Sequence, residues 1–416
     1  MRRYRFESTA LCLLVISGAG RPALADLPRA ECAGDLEAVT TFHGPMPTGV
    51  TVSRSGRIFV NFPRWGDQVD FTVAELKRGQ PQPYPDARTN QLDEARGANC
   101  FVSVQSVVID PNDRLWVLDT GRPEHHKPRP GGPKLVGIDL NTNTIFKKIL
   151  FPSDVARPTT YLNDVRFDLR RGAEGMAFIT DSSTEGPNAL IVVDLASGRS
   201  RRRLEDHPST KADPEFQPIV EGRPLMIRIP GQPPRPFPVG ADGIAITPDG
   251  KRLYYCPLSS RALYSVDVDA LVDEQTADED VARTITAHPP RGFASDGLES
   301  DGQGRIYLTD YEDNGVLRLT SDGQYETIVY YSRALWPDSL CVAPDGCLYL
   351  IANQLHRQAQ FQNGLDRRVK PYVLFRTRLN WAGGRDGRAP VAGDRQAGAT
   401  RPAGQSEAPD GDSGGC

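Results

Sequence analysis

The sequence predicts an all-β chain folded as a six-bladed β-propeller. Three observations carry this: a hairpin pattern that recurs six times, an excess of turn residues, and almost no long helical periodicity. In each recurrence a small polar or acidic residue opens an apolar run, a turn follows, and a second apolar run returns. The first three openings are Pro47-Thr48-Gly49-Val50, Gln105-Ser106-Val107-Val108 and Asn163-Asp164-Val165-Arg166. The other three are Ala241-Asp242-Gly243-Ile244, Ser295-Asp296-Gly297-Leu298 and Pro337-Asp338-Ser339-Leu340. Returning runs include Arg114-Leu115-Trp116-Val117, Arg252-Leu253-Tyr254-Tyr255 and Cys347-Leu348-Tyr349-Leu350, after turns such as Asp249-Gly250 and Asp345-Gly346. From Thr48 to Ser106, Asp164, Asp242, Asp296 and Asp338 the intervals are 58, 58, 78, 54 and 42 residues. Multi-strand repeats of ~40 to 50 residues are propeller blades, and the longer intervals hold loop insertions. The 39 glycines and 35 prolines among 416 residues supply the turns. A jelly roll or tandem sandwich would not repeat one hairpin six times.

Composition sets the outer limits. With 38% hydrophobic and 25% charged residues, wholesale disorder is excluded. A formal charge of −4 argues against nucleic acid or an anionic membrane surface as partner. No stretch reaches the ~18 apolar residues that would span a bilayer, so membrane insertion is not expected. The first 25 residues read as a secretory signal peptide: Arg2, Arg3 and Arg5, an apolar core over Leu11 to Ile16, then Ala23-Leu24-Ala25 for cleavage. Cleavage removes four arginines and one glutamate, taking the charge from −4 to −7. A secreted or periplasmic location follows. The propeller is expected over 26–381. Residues 382–416, poor in large apolar side chains, read as a disordered tail.

Seven cysteines are present, and Cys12 lies in the signal segment. Cys341 and Cys347 flank one turn closely enough for a cross-strand bridge, whereas Cys256 inside Leu253-Tyr254-Tyr255-Cys256 reads as a buried thiol. Trp116 and Trp336 are expected to pack between blades. No Cys/His cluster has zinc spacing, and neither a P-loop nor a Gly-rich dinucleotide motif occurs. His125-His126 lies in the Pro/Arg-rich insertion from Arg122 to Pro133, and a second insertion runs from Arg201 to Pro238. Both insertions read as solvated surface, with a lid over the channel as the sharper alternative.

Antiparallel pairing brings the start of each first strand and the end of each second strand to one mouth of the channel. Asn163, Asp164, Asp242, Asp296, Asp338 and Asn353 are therefore the candidate ligand-binding residues. Taken singly, Asp and Asn at strand ends cap loops, and Asp-Gly favours turns. Taken together, carboxylates converging on one axis repel unless a cation, a ligand amine or a proton compensates. Hard oxygen ligands suit Ca²⁺ or another divalent cation, and spacing alone does not distinguish a metal site from an amine site. A small-molecule ligand is the expected partner.

Several stretches resemble the major royal jelly/Yellow proteins. They are Ser103-Val104-Gln105-Ser106-Val107, Arg114-Leu115-Trp116-Val117-Leu118-Asp119-Thr120-Gly121, Tyr161-Leu162-Asn163-Asp164-Val165, Ser295-Asp296-Gly297-Leu298 and Trp336-Pro337-Asp338. The resemblance implies a secreted six-bladed propeller, binding of an aromatic or otherwise cationic amine in the channel, and an activity akin to dopachrome conversion. Family members commonly carry a cysteine where this chain has Asn112, which implies that Cys100 lacks that partner. The Arg- and Pro-rich composition points to a bacterial relative. Two alternatives accompany this reading: a divalent-metal gluconolactonase-like hydrolase, in which Asn163 or Asp164 and Asp296 would be ligands, and a non-catalytic interaction protein.

Overall fold

The structure, a computed structural model, describes residues 33–379, so the signal segment and the tail fall outside the described residues. Six four-stranded antiparallel sheets form the blades. Blade 1 comprises Gly49–Val52, Ile58–Asn61, Val73–Lys77 and Gln80–Pro83, and blade 2 comprises Val104–Ile109, Leu115–Asp119, Lys134–Asp139 and Thr144–Leu150. Blade 3 holds Leu162–Asp168, Met176–Asp181, Leu190–Asp194 and Ser200–Arg203. Blade 4 holds Ala241–Ile246, Arg252–Pro257, Tyr264–Asp267 and Thr286–Ala287, and blade 5 holds Leu298–Ser300, Ile306–Asp310, Gly315–Leu319 and Tyr325–Tyr330. In blade 6, Pro337–Val342, Cys347–Ala352 and Tyr372–Arg378 are completed by the N-terminal strand Glu37–Phe42. That strand pairs antiparallel with Tyr372–Arg378, Phe42 facing Tyr372 and Glu37 facing Arg376. Each innermost strand touches the innermost strands of its two neighbours, the sixth touching the first, so the ring is closed. Glu37–Phe42 thus covers the edge of Tyr372–Arg378 and ties the two extremes of the described residues into one sheet.

The second strands are apolar because blades cover both their faces. Leu115–Asp119, Met176–Asp181 and Cys347–Ala352 are buried throughout, whereas the outer strand Thr144–Leu150 is mostly exposed. Trp116 packs between blades as expected. Its indole stacks on Phe167 of blade 3 at 5.1 Å and donates to Asp110 at 2.8 Å. Cys256 is a fully buried thiol. The Cys341–Cys347 bridge does not form: Cys341 stands opposite Tyr349, and Cys347 pairs with Ala343, so the thiols are out of register.

Register irregularities recur at one place. The first strands of blades 3, 4 and 6 each shift against their second strands between Leu162 and Val165, Ala241 and Ile244, and Pro337 and Leu340. A bulge adds a residue to one strand and re-aims its side chain. The residues so placed are Asn163, Asp242 and Asp338.

Candidate functional site: an acidic channel mouth

The bulges and the axis explain the local sequence. Gly243 and Gly297 follow Asp242 and Asp296, and neither glycine makes a turn. A Cβ on Gly243 would stand 2.3 Å from the Asp296 carbonyl oxygen, and one on Gly297 would stand 2.3 Å from that of Asp338. Glycine here lets adjacent first strands close on the axis, and Gly297 N–H donates to the Asp338 carbonyl at 3.0 Å. The preceding aspartates are thereby crowded together.

Asn163, Asp242, Asp296 and Asp338 line one cavity of about 330 Å³ at the channel mouth. All three acids are buried, with 5, 8 and 6% of their surfaces exposed. Asn163 Nδ2 donates to Asp242 at 2.6 Å, and Trp336 Nε1 donates to Asp296 at 2.7 Å. Among the described residues no Lys, Arg or His forms an ion pair with any of the three. Burial pushes Asp242 well above the usual carboxylate range, and the nearby Asp296 and Asp338 push it further. Asp338 is raised in the same way by burial and by Asp296. Asp296 is raised less, to about 6, because the Trp336 N–H and a bond with Asp242 offset part of its burial. Burial thus opposes charge at all three acids.

An aromatic wall stands above this floor. Trp65, from the loop after the second strand of blade 1, donates through Nε1 to Tyr161 Oη at 2.7 Å. Tyr161 Oη donates in turn to Gln105 Oε1 at 3.0 Å. The His125 ring stacks on Trp65 at 5.2 Å and lies 5.3 Å from the Tyr161 ring. Its outer edge is open to solvent, yet its seat low among the rim loops and the Arg122 guanidinium push its pKa down to about 4. Glu124 and His125 both adopt left-handed backbone, with φ of 52° and 56°. Arg122 fastens this segment by donating to the carbonyls of His125, His126, Thr159 and Thr160.

Two insertions read as solvated surface instead build the mouth. The first supplies Arg122, Glu124 and His125, and the second supplies Ile227, Arg235 and Phe237. Their Pro-, Arg- and Gly-rich composition carried no periodicity from which a wall could be inferred; the aromatic residues within and beside them were the available signal. Trp336 is also more than a packing residue, since its ring stacks on Tyr311 at 4.4 Å while its N–H holds Asp296.

Two of the six candidates lie elsewhere. Asp164 points away from the mouth, into a separate cavity of about 310 Å³ along the lower channel, where it pairs with Arg166 at 2.9 Å. It also accepts from Ser106 Oγ at 2.7 Å. The register shift between Leu162 and Val165 re-aims this stretch, Asn163 to the mouth and Asp164 to the lower cavity. Asn353 is fully buried behind the floor and donates to Asp338. The proposed metal set of Asn163, Asp164 and Asp296 is thus divided between two cavities. Among the described residues no three His, Cys, Asp or Glu side chains stand where they could hold a metal ion. The donor set does not fit a divalent-metal centre, and no chemistry is derived through one.

Fold and site define a class: a six-bladed propeller whose channel mouth is acidic at its floor and aromatic at its wall. The chain belongs to the major royal jelly protein family, whose model matches residues 102–380. Major royal jelly protein 1 of Apis mellifera is 30% identical over 226 residues, covering 51% of this chain and 48% of that protein. Protein yellow of Drosophila madeirensis is 29% identical over 264 residues, covering 59% of this chain and 43% of its own. The matches thus span about half the length of these curated relatives. Among solved structures, a protein classed as a gluconolactonase superposes with a TM-score of 0.50 at 13% identity, covering 87% of this chain and 97% of that one. At that identity the likeness concerns the fold alone.

Proposed function

We propose that the protein is exported and binds a small monocationic aromatic amine at the channel mouth. The observation that carries this reading is the floor itself: three buried carboxyls with no cationic side chain of their own. Buried charge is stable only when compensated, and here compensation comes from protons or from a ligand. Burial raises all three carboxyls, Asp296 to about 6, so an ammonium that enters the floor is held by the carboxylate that ionises there. The aromatic wall of Trp65, Tyr161 and His125 offers faces against which a ligand ring stacks and a cation is attracted. A cavity of about 330 Å³ suits a single-ring amine. Export rests on the N-terminal sequence, with its arginines, apolar core and Ala23-Leu24-Ala25 site.

Calorimetric titration of the purified chain tests the reading, with dopamine, then Ca²⁺, as titrants. Saturable one-to-one binding of dopamine, weakened in Asp296→Asn, is expected. A flat dopamine titration with saturable Ca²⁺ binding would overturn the reading. A chain recovered from its host with residues 1–25 still attached would overturn the export part.

A further inference from the structure

The second insertion separates the channel mouth from another cavity, of about 600 Å³, whose chemistry is opposite. One side of this segment contributes Ile227, Arg235 and Phe237 to the mouth; the other contributes Glu221, Arg223, Leu225 and Arg228 to the second cavity. The segment after the sixth blade's second strand is divided likewise, with Gln358 and Gln360 facing the mouth and His356, Arg357 and Arg367 the second cavity. The Arg228 N–H donates to the Gln360 carbonyl at 2.7 Å and locks the two segments together.

Four arginines and one histidine surround this cavity against one carboxylate. Glu221 is already engaged, by Arg357 and by His356 Nε2 at 2.9 Å. Arg223 and Arg367 have no side-chain partner among the described residues and are exposed. Arg228 donates only to the carbonyls of Pro224 and Met226, at 2.9 and 3.3 Å. Three guanidinium groups thus face one concavity with no carboxylate to balance them, in a chain of net charge −4. Arg261 and Arg368, by contrast, are matched, to Glu312 and to Asp67. Beneath the arginines the buried His356, 3% exposed, faces Glu221 through Nε2 and fixes the one carboxylate of the cavity in place.

We infer that this cavity is a binding site for a small multivalent anion bearing phosphate or clustered carboxylate groups, held by Arg223, Arg228 and Arg367. Guanidinium forks match such oxyanions bidentately, and three of them converging on one concavity reinforce one another. Glu221 keeps it from being a bare positive patch and orients both Arg357 and His356.

The test is calorimetric titration of the full chain with pyrophosphate at low salt, beside the variants Arg223→Ala/Arg367→Ala, Glu221→Gln and Asp296→Asn. Wild-type protein should bind with one-to-one stoichiometry, and the double variant should lose about tenfold or more in affinity. Glu221→Gln should bind at least as tightly as wild type, and Asp296→Asn should bind unchanged, which separates this site from the channel mouth and from the fate of the amine reading. Affinity should fall steeply as salt is raised. No heat at millimolar pyrophosphate, or binding that survives the double variant, would overturn the inference. Co-sedimentation with phosphatidylglycerol vesicles in the absence of pyrophosphate binding would overturn it in favour of a membrane surface.

Discussion

Two sets of aspartates lie within one hairpin of each other and are equally buried, yet they are treated in opposite ways. At the ends of second strands, Asp119 accepts from the N–H groups of Val102, Ser103 and Gly121 and pairs with buried Lys134 at 2.7 Å. Asp181 accepts from Tyr161 and Ser183 and pairs with Arg202 at 2.8 Å. At the starts of first strands, Asp242, Asp296 and Asp338 have each other, the amides of Asn163 and Asn353, the Ser339 hydroxyl and the Trp336 indole, and no cation. The first set spends its charge on holding loops. The second keeps a charge in reserve, and burial without a cation around one shared cavity is what marks it as a place for a ligand; Asp310, buried without a cation at the end of a second strand, instead accepts from the N–H groups of Glu312 and Asp313.

Removing a cation from the first set is the harshest way to break this contrast. Lys134→Met should lower stability by about 3 kcal/mol or more, because Asp119 would remain buried and uncompensated. Urea denaturation measures it, and a loss under about 1 kcal/mol would mean that the three backbone donors alone satisfy Asp119. Removing a charge from the second set should act on binding instead. Asp296→Asn keeps an acceptor for the Trp336 N–H, so it should weaken amine binding by roughly 1 to 3 kcal/mol and leave the free protein as stable or more so. Equal losses in binding and stability would place Asp296 with the structural acids.

The pH dependence sharpens the same point. Asp296 is raised on folding from an ordinary value of 3.8 to about 6, so the folded state holds the proton more tightly than the unfolded chain. The stability this group contributes is full below pH 3.8 and is lost as the pH rises through about 6. Asp242 and Asp338, raised in the same direction, add to the loss with rising pH. Thermal melts of wild type and Asp296→Asn should diverge over that window, with the variant less sensitive to rising pH. The smallest effect is expected of Asp164→Asn. Its carboxylate serves Arg166 and Ser106 in the lower channel, so amine affinity should stay within about twofold of wild type, which titration would verify.

Much of this fold is legible in the chain because each blade repeats one hairpin whose second strand must be apolar on both faces. The strand Glu37–Phe42 was not, since its mixed sequence lies far from its partner Tyr372–Arg378 and only ring closure brings them together. At the site, the convergence of Asn163, Asp242, Asp296 and Asp338 follows from the hairpin geometry. The division between Asn163 and Asp164 does not, because a bulge is a property of two paired strands and leaves no mark in one of them. Asp-Gly in blades 4 and 5 looked like turn chemistry, but Gly243 and Gly297 serve close approach at the axis. Trp65, Tyr161 and His125 come from three separate loops, and no spacing relates them.

The most direct test of the central claim, that the floor's buried charge is held for a cation, is the proton count of binding. Dopamine should be titrated calorimetrically at about pH 5.5 in two buffers of different ionisation enthalpy. With Asp296 near 6, most molecules carry its proton at that pH, and ammonium binding should release roughly half a proton or more per ligand. The release should shrink in Asp296→Asn. Binding with the same enthalpy in both buffers, or with equal affinity in the variant, would contradict the account.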